Sequence, residues 1–541
     1  MKKIFFAFTA SLALLSCSKM LDSVEQLGAL DTDKYYAEAS DPQAEALAVS
    51  MYTTAWDIIE DYGFDSYTDD YVSNDPYKAT NNDSFGADEL YANLYKLNYK
   101  ANLILEKLAD NSDIKKRIIG EAYFMRGWAY FNLIRGWGTP PLVDHVMSAD
   151  ELSEVTNGNS SELWELCTSS LQKAAEILPA KSGLGGQRAI GARVSRQAAL
   201  AFLGKAFLYA GNKTAAAAAL KQVMDSKAYK LEANFSDLFT IKADFSDEYV
   251  WEFNADDADA SQKTSEARID FYDNWRGETL TMPGGCHLSG FTQGYQSVMP
   301  SKDYYDFMVA REGKSNRLQG SVWSVEDAAR MYVTLSGDAY KGTANYEGDN
   351  LAAMKAAHPG ITDEQAGMRL LWTADMAMPA QSTMQGVLGA KIYMWCSDMY
   401  PATSTNTIYS MANYPVMRYS DVLLLYAEAA SDVSALNQVR QRAGLGALAS
   451  YSDAELRAER RAEFFSEGER FWDCVRWGIA STEFANVGKV SYTTTVDPNT
   501  YAVSITSANV DGWLGWDNKY TAFPYTTSEI QQTSIQQNQG W

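Results

Sequence analysis

Five carboxylates crowd one short stretch near the C-terminus: Glu459, Glu463, Glu467, Glu469 and Asp473 in ERRAEFFSEGERFWDCVRWG, 459–478. Two carboxyl groups facing each other across a cleft about 5–9 Å wide are the acid and nucleophile of a glycoside hydrolase. Here Arg460, Arg461, Arg470 and Arg476 interleave with them. On a helix Arg460 reaches Glu463, and Arg470 or Arg476 reaches Asp473, so the stretch reads as a structural ion-pair network. Gly444-Leu445-Gly446-Ala447-Leu448-Ala449 fits GxGxxA, but a dinucleotide site needs that pattern between a strand and a helix. Following a helical segment, it reads instead as helix termination with Gly444 in left-handed backbone. His145, His287 and His358 are widely separated and form no HExxH pair, which leaves little material for a zinc site or a His-based triad. No catalytic residue is assigned, and an enzyme is not expected.

Two other stretches mix flat rings with polar groups. Sugars present apolar C–H faces and hydroxyl edges, so a site for them needs aromatic rings beside carboxylates and amides. Tyr62, Tyr67, Asp69, Tyr71, Tyr77 and Asn82 fall in DYGFDSYTDDYVSNDPYKATNNDSFGAD, and Tyr272, Trp275 and Tyr295 in the polar run from Asn254 to Pro300. We expect Tyr67, Asp69, Tyr71, Tyr77, Asn82, Tyr272, Trp275 and Tyr295 to form one ligand surface shared by the two loops. The choice rests on composition and loop position. The competing reading makes each ring packing or plain surface. The Asp-rich loops also supply the clustered oxygens that calcium favours, though without EF-hand spacing; structural calcium stays open, and no other metal or cofactor is expected.

The 541 residues include 46 Lys and Arg against 69 Asp and Glu, a formal charge of −23. Nucleic acid is excluded as a partner, because its affinity rests on a cationic footprint. Lys2 and Lys3 precede an apolar run from Ile4 to Leu15, too short to span a bilayer and suited to a secretory leader. It ends in Leu14-Leu15-Ser16-Cys17, which resembles a bacterial lipobox. We expect residues 1–16 to be removed and Cys17 to be acylated, tethering the chain to a membrane without crossing it. Cys167, Cys286, Cys396 and Cys474 show no CxxC spacing and read as small core residues.

Helices must position these groups. Phe124, Trp128, Phe131 and Ile134 share one face of a helix in EAYFMRGWAYFNLIRGWGTPPLV, 121–143. Gly127 and Ala129 admit a close neighbour, and Gly136, Gly138, Pro140 and Pro141 end the helix. Further helices are expected over Asp41–Ile59, Leu90–Leu108, Ser161–Leu178, Ser195–Tyr209, Thr214–Asp225, from Ser420, and over Leu436–Ala443. Glu248–Phe253 reads as a short strand. From Ser301 to Ser410 helix signals are weak, and alternating pieces such as Arg330–Leu335 and Lys391–Trp395 suggest small strands. Ser452 and Glu455 form a capping box that starts a helix running through to Gly478. The short Gly211-Asn212 turn gives its helix pair a tetratricopeptide-like look.

Several of these stretches carry a family likeness. GWGTPPLV, RVSRQAALAFLGKAFLYAGN (193–212), YPVMRYSDVLLLYAEAA (414–430), LNQVRQRAGL (436–445) and the 459–478 helix, in this order, resemble the SusD/RagB family of outer-membrane lipoproteins of Bacteroidota. The closing SEIQQTSIQQNQGW is similar to the family's end, with Gln539 for its usual proline and Trp541 for its tyrosine. The resemblance implies a mostly α fold, tetratricopeptide-like helix pairs with a packed loop-rich region and a few short strands. On this reading 17–541 is one unit: a helical scaffold at about 41–230 and 414–480, a loop-rich ligand-binding region at about 245–413, and a tail at 481–541. It further implies a surface-exposed lipoprotein that captures an oligosaccharide or polysaccharide and acts with a SusC-like TonB-dependent transporter. No ligand residue is carried over, since the family's ligand residues lie outside its shared motifs. The alternatives are a peptide-binding member of the family, an exported glycoside hydrolase, and a scaffold that binds only protein.

Overall fold

The computed structural model describes residues 32–60, 67–73, 77, 85–184, 193–254, 298–343, 346–371, 387–389, 412–497 and 503–541. The N-terminal part holds α1 (Thr32–Ala37), α2 (Asp41–Glu60), β1 (Tyr71–Ser73), α3 (Asp88–Lys107), α4 (Asp113–Trp137), α5 (Ala149–Ser153), α6 (Ser160–Ile177), α7 (Arg196–Tyr209) and α8 (Lys213–Asp225). The middle holds β2 (Tyr249–Phe253), β3 (Val298–Pro300), α9 (Lys302–Glu312), α10 (Asn316–Gln319), β4 (Val322–Ser324), α11 (Val325–Leu335), α12 (Gly348–Ala357), α13 (Asp363–Leu371) and β5 (Val387–Gly389). The last part holds β6 (Tyr414–Arg418), α14 (Tyr419–Ala430), α15 (Val433–Arg442), α16 (Asp453–Glu463), α17 (Glu469–Arg476), α18 (Ala480–Glu483), β7 (Val490–Val496), β8 (Val503–Asn509) and α19 (Thr527–Gln532).

The helices stack in succession: α2 on α3 and α4, α3 on α4, α4 on α6, α6 on α7, α7 on α8, and α8 on α14, which pairs with α15. α4 is the centre. Ser112 caps it by accepting the Lys115 amide, and Gly138, at φ +73°, stops it. Phe124, Trp128, Phe131 and Ile134 are buried as their spacing requires, each contributing roughly 1.5–3 kcal/mol. Gly127 lets α6 approach: a Cβ there would stand 2.6 Å from Leu171 Cγ. Gly204 does the same for α8 against Leu220, at 2.4 Å. The turn between α7 and α8 uses Gly211 at φ +81° and Asn212, whose side chain caps α8.

The strands form four antiparallel pairs, β1·β3, β2·β6, β4·β5 and β7·β8. Wholly buried β2 attaches the middle of the chain to the scaffold through Trp251, edge-on to Phe124, Trp128 and Phe202 at 5.0, 5.3 and 5.8 Å. Cys167 and Cys474 are buried and unbridged, as small core residues would be; Cys286 and Cys396 lie outside the described residues.

Three expectations are corrected. Arg330–Leu335 is helical, the end of α11, because Ser324 and Asp327 form a capping box and Ala328, Tyr332 and Leu335 bury one helix face. It is one of five helices, α9 to α13, in a stretch read as helix-poor; Lys391–Trp395 lies outside the described residues. The charged C-terminal helix is two: α16 stops at Glu463 and α17 starts at Glu469, with Ser466 at φ +60° and Gly468 at φ +73° between them. Ser452 does cap α16 on the Glu455 amide, but the Glu455 carboxylate turns to Arg311 and Arg440.

Candidate functional site

β1 belongs to the first aromatic loop and β3 closes the second, so their pairing joins the two. Tyr71 faces Pro300, Val72 faces Met299 and Ser73 faces Val298. The first loop therefore continues from Ser73 directly beside the point where the second loop arrives at Val298. A two-stranded ribbon three residues long is not stable alone, and side chains from the far end of the sequence hold it. Arg470 places Nε and Nη2 on the two oxygens of Asp69 at 3.0 Å each. Arg461 contacts Asp69 at 2.9 Å and Asp70 at 2.6 Å. Burial pushes the Asp70 carboxyl up while Arg461 pulls it down. Tyr71 stacks on Phe465 with ring centroids 5.1 Å apart, and its hydroxyl bonds Ser466. The Tyr520 hydroxyl donates to the Tyr77 carbonyl at 2.8 Å.

These contacts correct part of the expected ligand surface. Tyr71 is 4% exposed and Tyr77 0%; the Tyr77 hydroxyl donates to the Tyr67 carbonyl, so both are interior rings that brace the loop. The Asp69 carboxylate is engaged by two guanidinium groups. Tyr67 is half-buried among Tyr77, Phe85 and Phe471, and burial lifts its hydroxyl to about 12. Asn82, Tyr272, Trp275 and Tyr295 lie outside the described residues, as do Tyr62 and Cys17. In the sequence Arg461 and Arg470 read as part of the local ion-pair network; their reach to Asp69 and Asp70, and β3, were not legible there. Two adjacent aspartates in a loop and two arginines nine residues apart are signals, but nothing local pairs them.

The acidic cluster at 459–473 offers no free acid and base. Glu459 meets Arg317 at 2.6 Å and Arg311 at 2.5 Å; Glu463 meets Arg317, Arg418 and Arg442; Glu467 meets Arg418; Glu469 meets Lys205; Asp473 meets Arg460 and Arg476. The expected Arg460–Glu463 contact is replaced, as Arg460 turns to Asp421 and Asp473. An internal cleft of about 50 Å³ lies among Ile59, Trp128, Phe202, Lys205, Asp421 and Glu469. Small-molecule sites occupy roughly 300–1,000 Å³, so this cleft has room for a few waters and none for a sugar ring. Among the described residues no cluster of His, Cys, Asp and Glu suits a metal ion; much of the Asp-rich first loop lies outside them.

Comparison with known proteins decides the family. Residues 247–541 match the model described as the SusD family. The chain belongs to the SusD/RagB family. Residues 16–208 match a second model, described as starch-binding and associating with the outer membrane. Two SusD-like proteins of Formosa agariphila are similar to the chain. One is 24% identical over 404 residues, 70% of this chain and 68% of that protein. The other is 22% identical over 516 residues, 87% and 90%. Among solved structures, a SusD-like protein of Bacteroides fragilis superposes with a TM-score of 0.66 at 18% identity, covering 94% of this chain and 98% of that one. Surface glycan-binding protein A of Bacteroides thetaiotaomicron gives 0.60 at 18%, covering 93% and 100%. A laminarin-binding SusD-like protein gives 0.61 at 19%, covering 92% and 99%. These likenesses establish the SusD fold, mostly helical with few short strands. The SusD-family match takes in Arg461 and Arg470, and the second match takes in Asp69 and Asp70, so the clamp joins the two matched parts.

Proposed function

We propose that this protein captures oligosaccharide or polysaccharide at the cell surface and delivers it, chemically unaltered, to a SusC-like TonB-dependent transporter in the outer membrane. The observation that supports this reading is the β1·β3 pairing, which sets Tyr71–Ser73 of the first ring-bearing stretch beside Val298–Pro300 of the second on a helical platform. Relatives described as laminarin-binding and surface glycan-binding support a carbohydrate ligand, and the matched family's description supports association with the outer membrane. Attachment by an acylated Cys17 after loss of residues 1–16 completes the reading. No helix among the described residues is long and apolar enough to cross a membrane. Pairing of every carboxylate in the 459–473 cluster speaks against a hydrolase built there.

Electrophoresis of the purified protein through gels containing laminarin or soluble starch tests this. Retardation by a polysaccharide is expected, and Trp275→Ala should weaken it by about tenfold or more with the Tm nearly unchanged. Wild-type affinity in that variant would remove Trp275 from the ligand surface. Release of new reducing ends from either polysaccharide would overturn a purely binding role.

A further inference from the structure

We propose that Arg461 and Arg470 are positioning residues for carbohydrate capture, a role that rests on the reading above: they set the place of the β1·β3 ribbon on the scaffold. α16 ends at Glu463 and α17 begins at Glu469, so the chain breaks between the two arginines. On one continuous helix, residues nine apart are about 14 Å apart along the axis and two and a half turns around it, on opposite faces. Arg461 and Arg470 nonetheless reach the same dipeptide, Asp69-Asp70. The turn through Ser466 and Gly468, both with positive φ, redirects the chain so that the two side chains converge.

Asp69 and Asp70 receive a second set of bonds on their backbone. The Ser301 amide donates to the Asp70 carbonyl at 2.8 Å, and the Ser301 hydroxyl donates to the Asp69 carbonyl at 2.9 Å. One dipeptide thus ties the end of β3 by its carbonyls and α16 and α17 by its carboxylates. Each arginine is itself held, Arg470 by Glu483 at 2.5 Å and Arg461 over the Phe307 ring at 4.8 Å. A fork fixed in this way sets orientation as well as distance. The ribbon that joins both loops therefore takes its position from the C-terminal helices.

Two mild substitutions in the full chain test the clamp: Arg470→Lys, which keeps the charge and loses the fork, and Asp69→Asn, which keeps the shape and loses the charge. Amide hydrogen exchange across 67–73 and 298–301 is expected to rise about tenfold or more in each, with α4 unchanged. Retardation in the laminarin or starch gel that slows the wild type is expected to fall in both. The double variant should be no worse than Asp69→Asn alone, because the Arg470 fork closes on that carboxylate. Unchanged exchange at the ribbon, exchange rising throughout the chain, or retardation equal to the wild type's would each overturn the proposal. A wild type that neither gel retards would sink the carbohydrate reading separately, since the exchange measurement decides the clamp without a sugar.

Discussion

Glu252 shows how burial alone retunes one group. It sits on β2 at 2% exposure, accepting the Phe245 amide and the Asn413 side chain on Oε2, while Oε1 has no hydrogen-bond partner among the described residues. Burial raises its carboxyl from the ordinary 4.5 to about 7, the two donors lowering it only in part. Between those values the folded chain holds a proton that the unfolded chain has released. Stability from this group is therefore full below about 4.5, falls as pH rises to about 7, and is level beyond. The drop is on the order of 3 kcal/mol. Glu252→Gln imitates the protonated acid, so unfolding midpoints in urea at pH 4.5, 5.5, 7 and 8 should show a shallower decline in the variant. Glu121, also lifted to about 7 by burial, adds a slope of the same sign, which makes the difference between wild type and variant the quantity to read. Equal slopes would mean Glu252 ionises normally in the fold.

At the scale of elements, close packing of α4 on α6 depends on a missing side chain. At Gly127 a Cβ would meet Leu171 Cγ at 2.6 Å and the Cys167 carbonyl at 3.0 Å, and that carbonyl belongs to helix backbone that cannot give way locally. Gly127→Val should cost about 2–4 kcal/mol, visible as a lower urea midpoint with an unchanged slope. The reverse outcome, a midpoint within error of wild type, would show that α6 can move aside. The small residue and the helix around it were legible in the sequence because helix periodicity is local. α11 was not: its apolar face is short, and the alternation within Arg330–Leu335 imitates a strand until the Ser324 cap upstream is weighed.

Across the whole molecule, buried arginines tie the middle of the chain to the C-terminal helices. Arg317, 0% exposed at the start of α10, bonds Glu312, Glu459 and Glu463. Arg317→Met would leave three buried carboxylates short of a partner, a loss of about 3–5 kcal/mol. The melting temperature at pH 7 should fall markedly. A melting temperature within error of the wild type's would overturn this.

The sequence by itself determined the helices of the N-terminal scaffold with their apolar faces, and the pairing of Asp473 with the arginines beside it. Both follow from spacing within about twenty residues. Tertiary structure alone decided which partners the other charges take, that the last charged helix breaks at Ser466, and that Tyr71 and Tyr77 turn inward. The physical reason is reach: Tyr71 meets Ser466 across 395 positions and Arg470 meets Asp69 across 401, and no local pattern encodes which of many carboxylates a guanidinium will find.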